Sequence, residues 1–323
     1  MEAGPRPARE RLTVLVGIQG SGQLAGTLPD PGRFRAMAEL AEELGYDSLW
    51  AGEHLSFHNP ILDLGVALGA FAAVTERILL GAGVVLLPLR HPALVAKQAA
   101  SLDWLSGGRL VLGIGVGGEG AKDFEAAGVP VAERGARADE GIRALRVLFG
   151  SEQASFSGRF YRFEGVSIDP RPAQPGGPPI LVGGRSEAAQ QRAGRLGDGW
   201  LPYMTSPRRF AAGVETVDAY ARAAGRDPGG LSHALVAFAR VEDDGERARD
   251  AAIGHLSRRY GMRFERHHVD RLCVVGSPEE CAGRLRAYAE AGVEHLSLNP
   301  AADDDDLLEQ VRRLRAVVTA AEL

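Results

Sequence analysis

Three clusters in this chain carry groups that could do chemistry, and each lies where a short apolar run gives way to a turn. Glu53 and His54 place a carboxylate beside an imidazole. Imidazole titrates near neutral pH and can give or take a proton there, while Glu53 could orient the ring or bond the edge of a ligand. Gly183, Gly184 and Arg185 stand between a strand-like run and a helical pattern. At such a junction the N–H groups of the helix start can face an anion, glycine lets the anion come close, and arginine adds charge and donors. A tight turn needing glycine torsions is the other reading of the same residues. The run GIGVGGE over 113–119 brings Gly115, Gly117 and Gly118, too much glycine for packing alone, and is expected to line a pocket.

The remaining candidates divide the same way. His91 starts a helix, where it could meet a substrate or cap the helix. His267 and His268 are neighbours on an apparently irregular stretch, no His/Cys/Asp spacing suits a metal, and none is expected. The acids over 303–306 read as a helix N-terminal charge cluster. There is no Gly-x-Ser-x-Gly elbow and no cysteine in a nucleophile's context, which disfavours acyl-enzyme hydrolysis. A two-carboxylate barrel glycosidase is the alternative outside redox chemistry. The 6% aromatic content offers little to stack sugars, and no second strand-end acid is evident.

Composition narrows the partners. The 323 residues are 45% hydrophobic and 24% charged, and the net charge of -5 comes from interspersed acids and bases with no long basic run, so nucleic acid is not expected. Cys273 and Cys281 fall in different elements without a redox or metal spacing and are expected to be reduced and structural, as in a cytoplasmic protein. No window approaches a membrane span, and residues 1–11, rich in proline and charge, are expected to form a disordered leader.

The groups above need a scaffold that gathers strand ends from distant parts of the chain. Short β-branched runs alternate with helical patterns, which argues for parallel strands joined by helices. Strands are expected over 12–18, 48–51, 78–85, 110–115, 179–185, 199–201, 233–241 and 295–298. Helices are expected over 30–44, 63–75, 92–105, 134–149, 187–196, 207–224, 246–256, 278–291 and 306–321. A hairpin over 156–163 reads as a rim insertion, 260–271 as irregular and able to form a lid, and 273–276 as a further short strand. Eight such alternations favour a closed (β/α)8 barrel, one TIM-barrel domain over 12–323, whose strand ends converge on one mouth.

LGYDSLWAGEH over 44–54, RILLGAGV over 77–84, Arg90-His91-Pro92, KQAASLDWLSGGRLVLGIGVG over 97–117, ILVGGR over 180–185 and GDGWLP over 197–202 follow one another in an order that resembles the luciferase-like monooxygenase family. The resemblance spans about residues 12–320. It implies a flavin-type oxidoreductase, with His54 and Glu53 as catalytic candidates. It further implies a non-proline cis peptide at Gly83 and Val84 forming a bulge against the ring, an ordinary strand glycine being the alternative there. Gly115, Gly117, Gly118, Gly183, Gly184 and Arg185 would hold the cofactor, and Glu119 is offset by one residue from the acid such members carry. Family members use either reduced FMN with oxygen or the deazaflavin coenzyme F420. Glu53-His54, Glu133-Arg134 and the Pro-x-x-x-Gly-Gly-Arg loop at 179–185 are more similar to the F420 branch. The expectation is hydride transfer between coenzyme F420 and a small organic substrate, by a homodimer. FMN-dependent oxygenation with a partner flavin reductase is the alternative, and a non-catalytic flavin-binding protein the reading outside enzymes.

Overall fold

The structure, a computed structural model, describes residues 14–19, 30–57, 59–118 and 120–323. The expected leader and Glu119 lie outside the described residues. The first half runs β1 (Leu15–Gln19), α1 (Pro31–Glu43), β2 (Ser48–Ala51), α2 (Leu64–Val74), β3 (Leu79–Leu86), α3 (Pro92–Leu105), β4 (Leu110–Gly115), α4 (Ala121–Ala127) and α5 (Arg134–Gly150). After the hairpin β5 (Ala154–Ser157) and β6 (Arg162–Val166) come β7 (Ile180–Gly183), α6 (Glu187–Leu196), β8 (Gly199–Leu201), α7 (Pro207–Ala223), β9 (Ser232–Val241) and α8 (Gly245–Tyr260). The chain continues through α9 (Arg266–Leu272), β10 (Val274–Gly276), α10 (Pro278–Glu290), β11 (His295–Pro300) and α11 (Leu307–Ala320). The parallel order β11-β1-β2-β3-β4-β7-β8-β9 closes on itself through the β9 to β11 pairing, giving the expected eight-stranded barrel. β10 pairs with the C-terminal end of β9, and the hairpin is fastened to α5 by Glu140, which accepts the N–H groups of Arg159, Phe160 and Tyr161.

Two short helices correct the expected layout. α9 occupies the second half of the stretch read as irregular, with Gly261 ending α8 in a left-handed turn at φ +60°. His268 closes a capping box with Glu265 at its start. α4 lies in what read as a loop. Both helices have seven residues, too few to show a helical period in the sequence. The acids over 303–306 are chiefly ion-pair partners: Asp304 and Asp305 meet Arg33, Asp303 meets Arg258 and Asp306 meets Arg240.

The strands bury two faces. Outward residues such as Leu49, Leu80, Leu112 and Leu235 pack against the helices, and inward residues Trp50, Val111, Leu181, Leu201 and Ala234 fill the barrel. The indole of Trp50 takes the space that side chains at 17 and 81 would need. A Cβ on Gly81 would stand 2.1 Å from its ring, and one on Gly17 1.9 Å from Ser48 Oγ. Trp50 Nε1 donates to Ser48 Oγ at 2.7 Å, and the same hydroxyl shares a hydrogen bond of 2.6 Å with His295 Nε2. Burial pushes the His295 imidazole down to about 4.

That shift has a pH consequence. Below the ordinary imidazole value the unfolded chain takes a proton that the fold refuses until about pH 4, so stability falls as pH drops through this window. The loss from His295 alone approaches about 3 kcal/mol. His255, pushed down to about 4 by burial and by Arg259, adds to the same slope. Urea unfolding from pH 7 to 4 should show stability decreasing towards acid, and His295→Gln should make that fall shallower by about one proton's worth. An unchanged slope in the variant would contradict the neutral, buried assignment.

Candidate functional site

The C-terminal ends of the strands surround a cavity of about 850 Å³. All ten residues proposed from sequence line it: Glu53, His54, Gly83, Val84, Gly115, Gly117, Gly118, Gly183, Gly184 and Arg185. In strand order His54 follows β2 and Arg185 follows β7, with β3 and β4 between them. That intervening wall is built around one side chain. The Gly83–Val84 peptide is cis, and the β3 to β4 register slips between Ala82 and Val85. A Cβ on Gly113, Gly115 or Gly183 would come within 3.1, 2.4 and 3.0 Å of the Val84 methyl groups. These glycines make room for Val84, and Gly115 and Gly183 also border the cavity. Gly117, at φ +68°, lies against the Phe124 ring, and Gly118, at φ +144°, against the Arg134 guanidinium.

At the β7 end the residues favour an anion. Gly184 takes φ +112°, out of reach of ordinary side chains, and its carbonyl accepts Trp200 Nε1–H at 2.8 Å. Ser186 caps α6, so the first turn of that helix and the first turn of α7, which carries Arg209, both open on the cavity. Arg185 stacks over Tyr203 at 4.4 Å and donates to Met204 O at 3.2 Å. Among the described residues no carboxylate pairs with Arg185, Arg209 or Arg134. Sequence reasoning passed over Arg209 because it looks like any first-turn helix residue.

At the β2 end the two catalytic candidates have parted company. Glu53 does not orient His54. It accepts Leu86 N–H at 2.7 Å and pairs with Arg90, which also reaches Asp63 at 2.9 Å. Asp63 in turn caps α2. Glu53 therefore ties the ends of β2 and β3 to the start of α2. Burial raises its carboxyl above the usual range, against the pull of Arg90 and the Leu86 N–H. The ring of His54 instead meets Asp123, with Nδ1 2.9 Å from Oδ2, and stacks on Phe57 at 4.2 Å. Asp123 is 1% exposed and sits on α4, 69 residues further along the chain, with no local signal to mark it. His91 caps α3 through Nδ1 and does not line the cavity.

Glu53→Gln keeps an acceptor for Leu86 and removes the carboxylate charge that pairs with Arg90. It should lower stability by about 1–2 kcal/mol in urea unfolding and leave the His54 to Asp123 pair in place. A variant as stable as the parent would mean that Glu53 does not brace the mouth.

Comparison with known proteins matches residues 11–295 to the model of a luciferase-like monooxygenase family. An uncharacterized protein of Mycobacterium tuberculosis is 37% identical over 185 residues, 51% of this chain and 63% of that protein's length. An F420-dependent hydroxymycolic acid dehydrogenase of the same organism is 35% identical over 78% of this chain and 69% of its own. Among solved structures, a monooxygenase from Streptomyces bottropensis is 25% identical with a TM-score of 0.79, covering 95% of this chain and 99% of that one. An F420-dependent secondary alcohol dehydrogenase in complex with an F420-acetone adduct gives a TM-score of 0.82 at 19% identity, with the same coverage.

Proposed function

The chain belongs to the luciferase-like monooxygenase family, and on that premise we propose that it is an oxidoreductase that moves a hydride between coenzyme F420 and a small organic substrate. One observation carries the reading: a carboxylate-paired histidine and two arginines that meet no acid among the described residues, Arg185 and Arg209, open on the same cavity. The residues fit such a group. The glycines around Val84 leave the wall narrow, and the first turns of α6 and α7 with their arginines suit a phosphate. The likeness to F420-dependent relatives supports that choice of coenzyme.

When bound, the deazaflavin ring supplies the redox chemistry. The chain's own part is to hold the anionic end, exclude water and handle a proton. For an alcohol substrate the carbon gives up a hydride and the hydroxyl a proton. His54 is the group placed to take that proton, or to return it to a carbonyl in the reverse direction.

The test is titration of the purified protein with F420 and with FMN, each in both redox states, followed by fluorescence and absorbance. Selective F420 binding is expected, and Arg209→Ala should weaken it by roughly 10-fold or more. Selective binding of reduced FMN would move the protein to the oxygen-using branch with a partner reductase, and no binding of either would overturn the reading.

The same proposal includes a homodimer. α2 is apolar all round, with sequence LGVALGAFAAV, and Val66 on it and Leu94, Trp104 and Leu105 on α3 are exposed. Adjacent helices carrying large exposed apolar side chains suit a self-complementary interface. Sedimentation should give a dimer mass for the parent and a monomer for Val66→Arg combined with Trp104→Glu. A monomeric parent would exclude the dimer.

A further inference from the structure

We propose that Asp123 is a positioning residue for His54: it holds the imidazole proton on Nδ1, so that the other ring nitrogen, Nε2, is the one able to accept a proton. This rests on the reading of His54 as the proton-transfer group. The carboxylate is surrounded by donors. Its Oδ1 accepts the N–H groups of Leu55 at 2.8 Å and Ser56 at 2.7 Å, and its Oδ2 faces His54 Nδ1 at 2.9 Å. An ionised carboxylate only accepts, so the ring nitrogen facing it must donate. A neutral imidazole with its proton on Nδ1 has an acceptor at Nε2. Stacking on Phe57, with the rings 12° from parallel, fixes the plane of the imidazole. One buried group from α4 thus holds both the ring and the backbone of the segment that follows it. Glu53, though adjacent in sequence, is committed to Arg90 and Leu86.

Asp123→Asn separates this role from simple packing. The amide has one oxygen, and the N–H groups of Leu55 and Ser56 both claim it. The NH2 group is then left facing His54 Nδ1, where it must donate, and the ring proton moves to Nε2. The measurement is a two-bond proton–nitrogen correlation spectrum of the full chain labelled with nitrogen-15 histidine, recorded without cofactor. The His54 ring is assigned by its loss in His54→Gln. The expected result is the Nδ1–H form in the parent and the Nε2–H form in Asp123→Asn. Turnover of the cofactor-loaded variant should fall about 100-fold or more while cofactor affinity changes little, because the wrong tautomer removes the base without altering the anion end. Asp123→Glu should recover part of the turnover.

An Nε2–H ring in the parent would overturn the proposal, as would an unchanged tautomer in Asp123→Asn or a loss of turnover that merely tracks cofactor affinity. Should Asp123→Asn fail to fold, the parent spectrum and Asp123→Glu still decide. Because the spectrum needs no cofactor, failure to bind F420 would overturn the functional reading and leave the tautomer result standing.

Discussion

The indole of Trp50 fills the lower part of the barrel interior, and the site above depends on how that space is taken. Burying a side chain of this size contributes on the order of 5 kcal/mol from apolar area. The ring fits only because positions 17 and 81 lack side chains, and its one polar atom is satisfied by Ser48. Further along β3, against β4 and β7, the pattern repeats with a smaller residue. Val84 projects among Gly113, Gly115 and Gly183, and the volume these glycines forgo becomes wall and cavity instead of core. A close-packed interior allows little play, so the position of Val84 follows from the strands beneath it.

A second regularity concerns the carboxylates. Glu42 accepts the N–H groups of Glu76, Arg77 and Ile78, Glu140 those of 159–161, Glu53 that of Leu86, and Asp123 those of Leu55 and Ser56. Each captures the backbone of a connection that would otherwise carry unsatisfied donors near the core. The carboxylates thus shape the loops, and the loops place the functional groups. Asp123 differs from the others in also meeting the ring of a residue that lines the cavity.

The architecture was legible in the sequence because parallel strands buried on both faces read as continuous β-branched runs bounded by turns. α3 and α6 have the expected limits, helped by Pro92 at the start of one and the Ser186 cap before the other. Long-range pairings were not legible. The juxtaposition of Glu53 and His54 suggests a pair, yet neighbours beyond a strand end turn to different partners, and what fixes His54 arrives from α4. Glycines 115 and 183 announced a tight place without telling that its occupant is Val84.

A parallel barrel turns the N-terminus of every strand-following helix towards the same mouth, so a preference for anions is built into its topology. The side chains decide where that preference is kept. Arg90, after β3, is neutralised by Glu53 and Asp63, and Arg240, on β9, by Glu242 and Asp306. Around β7 and β8 the arginines Arg185 and Arg209 meet no carboxylate among the described residues, and there the field of two helix starts stands uncompensated. The half of the mouth near β2 holds its charges in closed pairs and carries the His54 ring. On the function proposed above, an anionic group is drawn to the β7 side, which leaves the β2 side, with His54, for the part of a bound molecule where a proton moves.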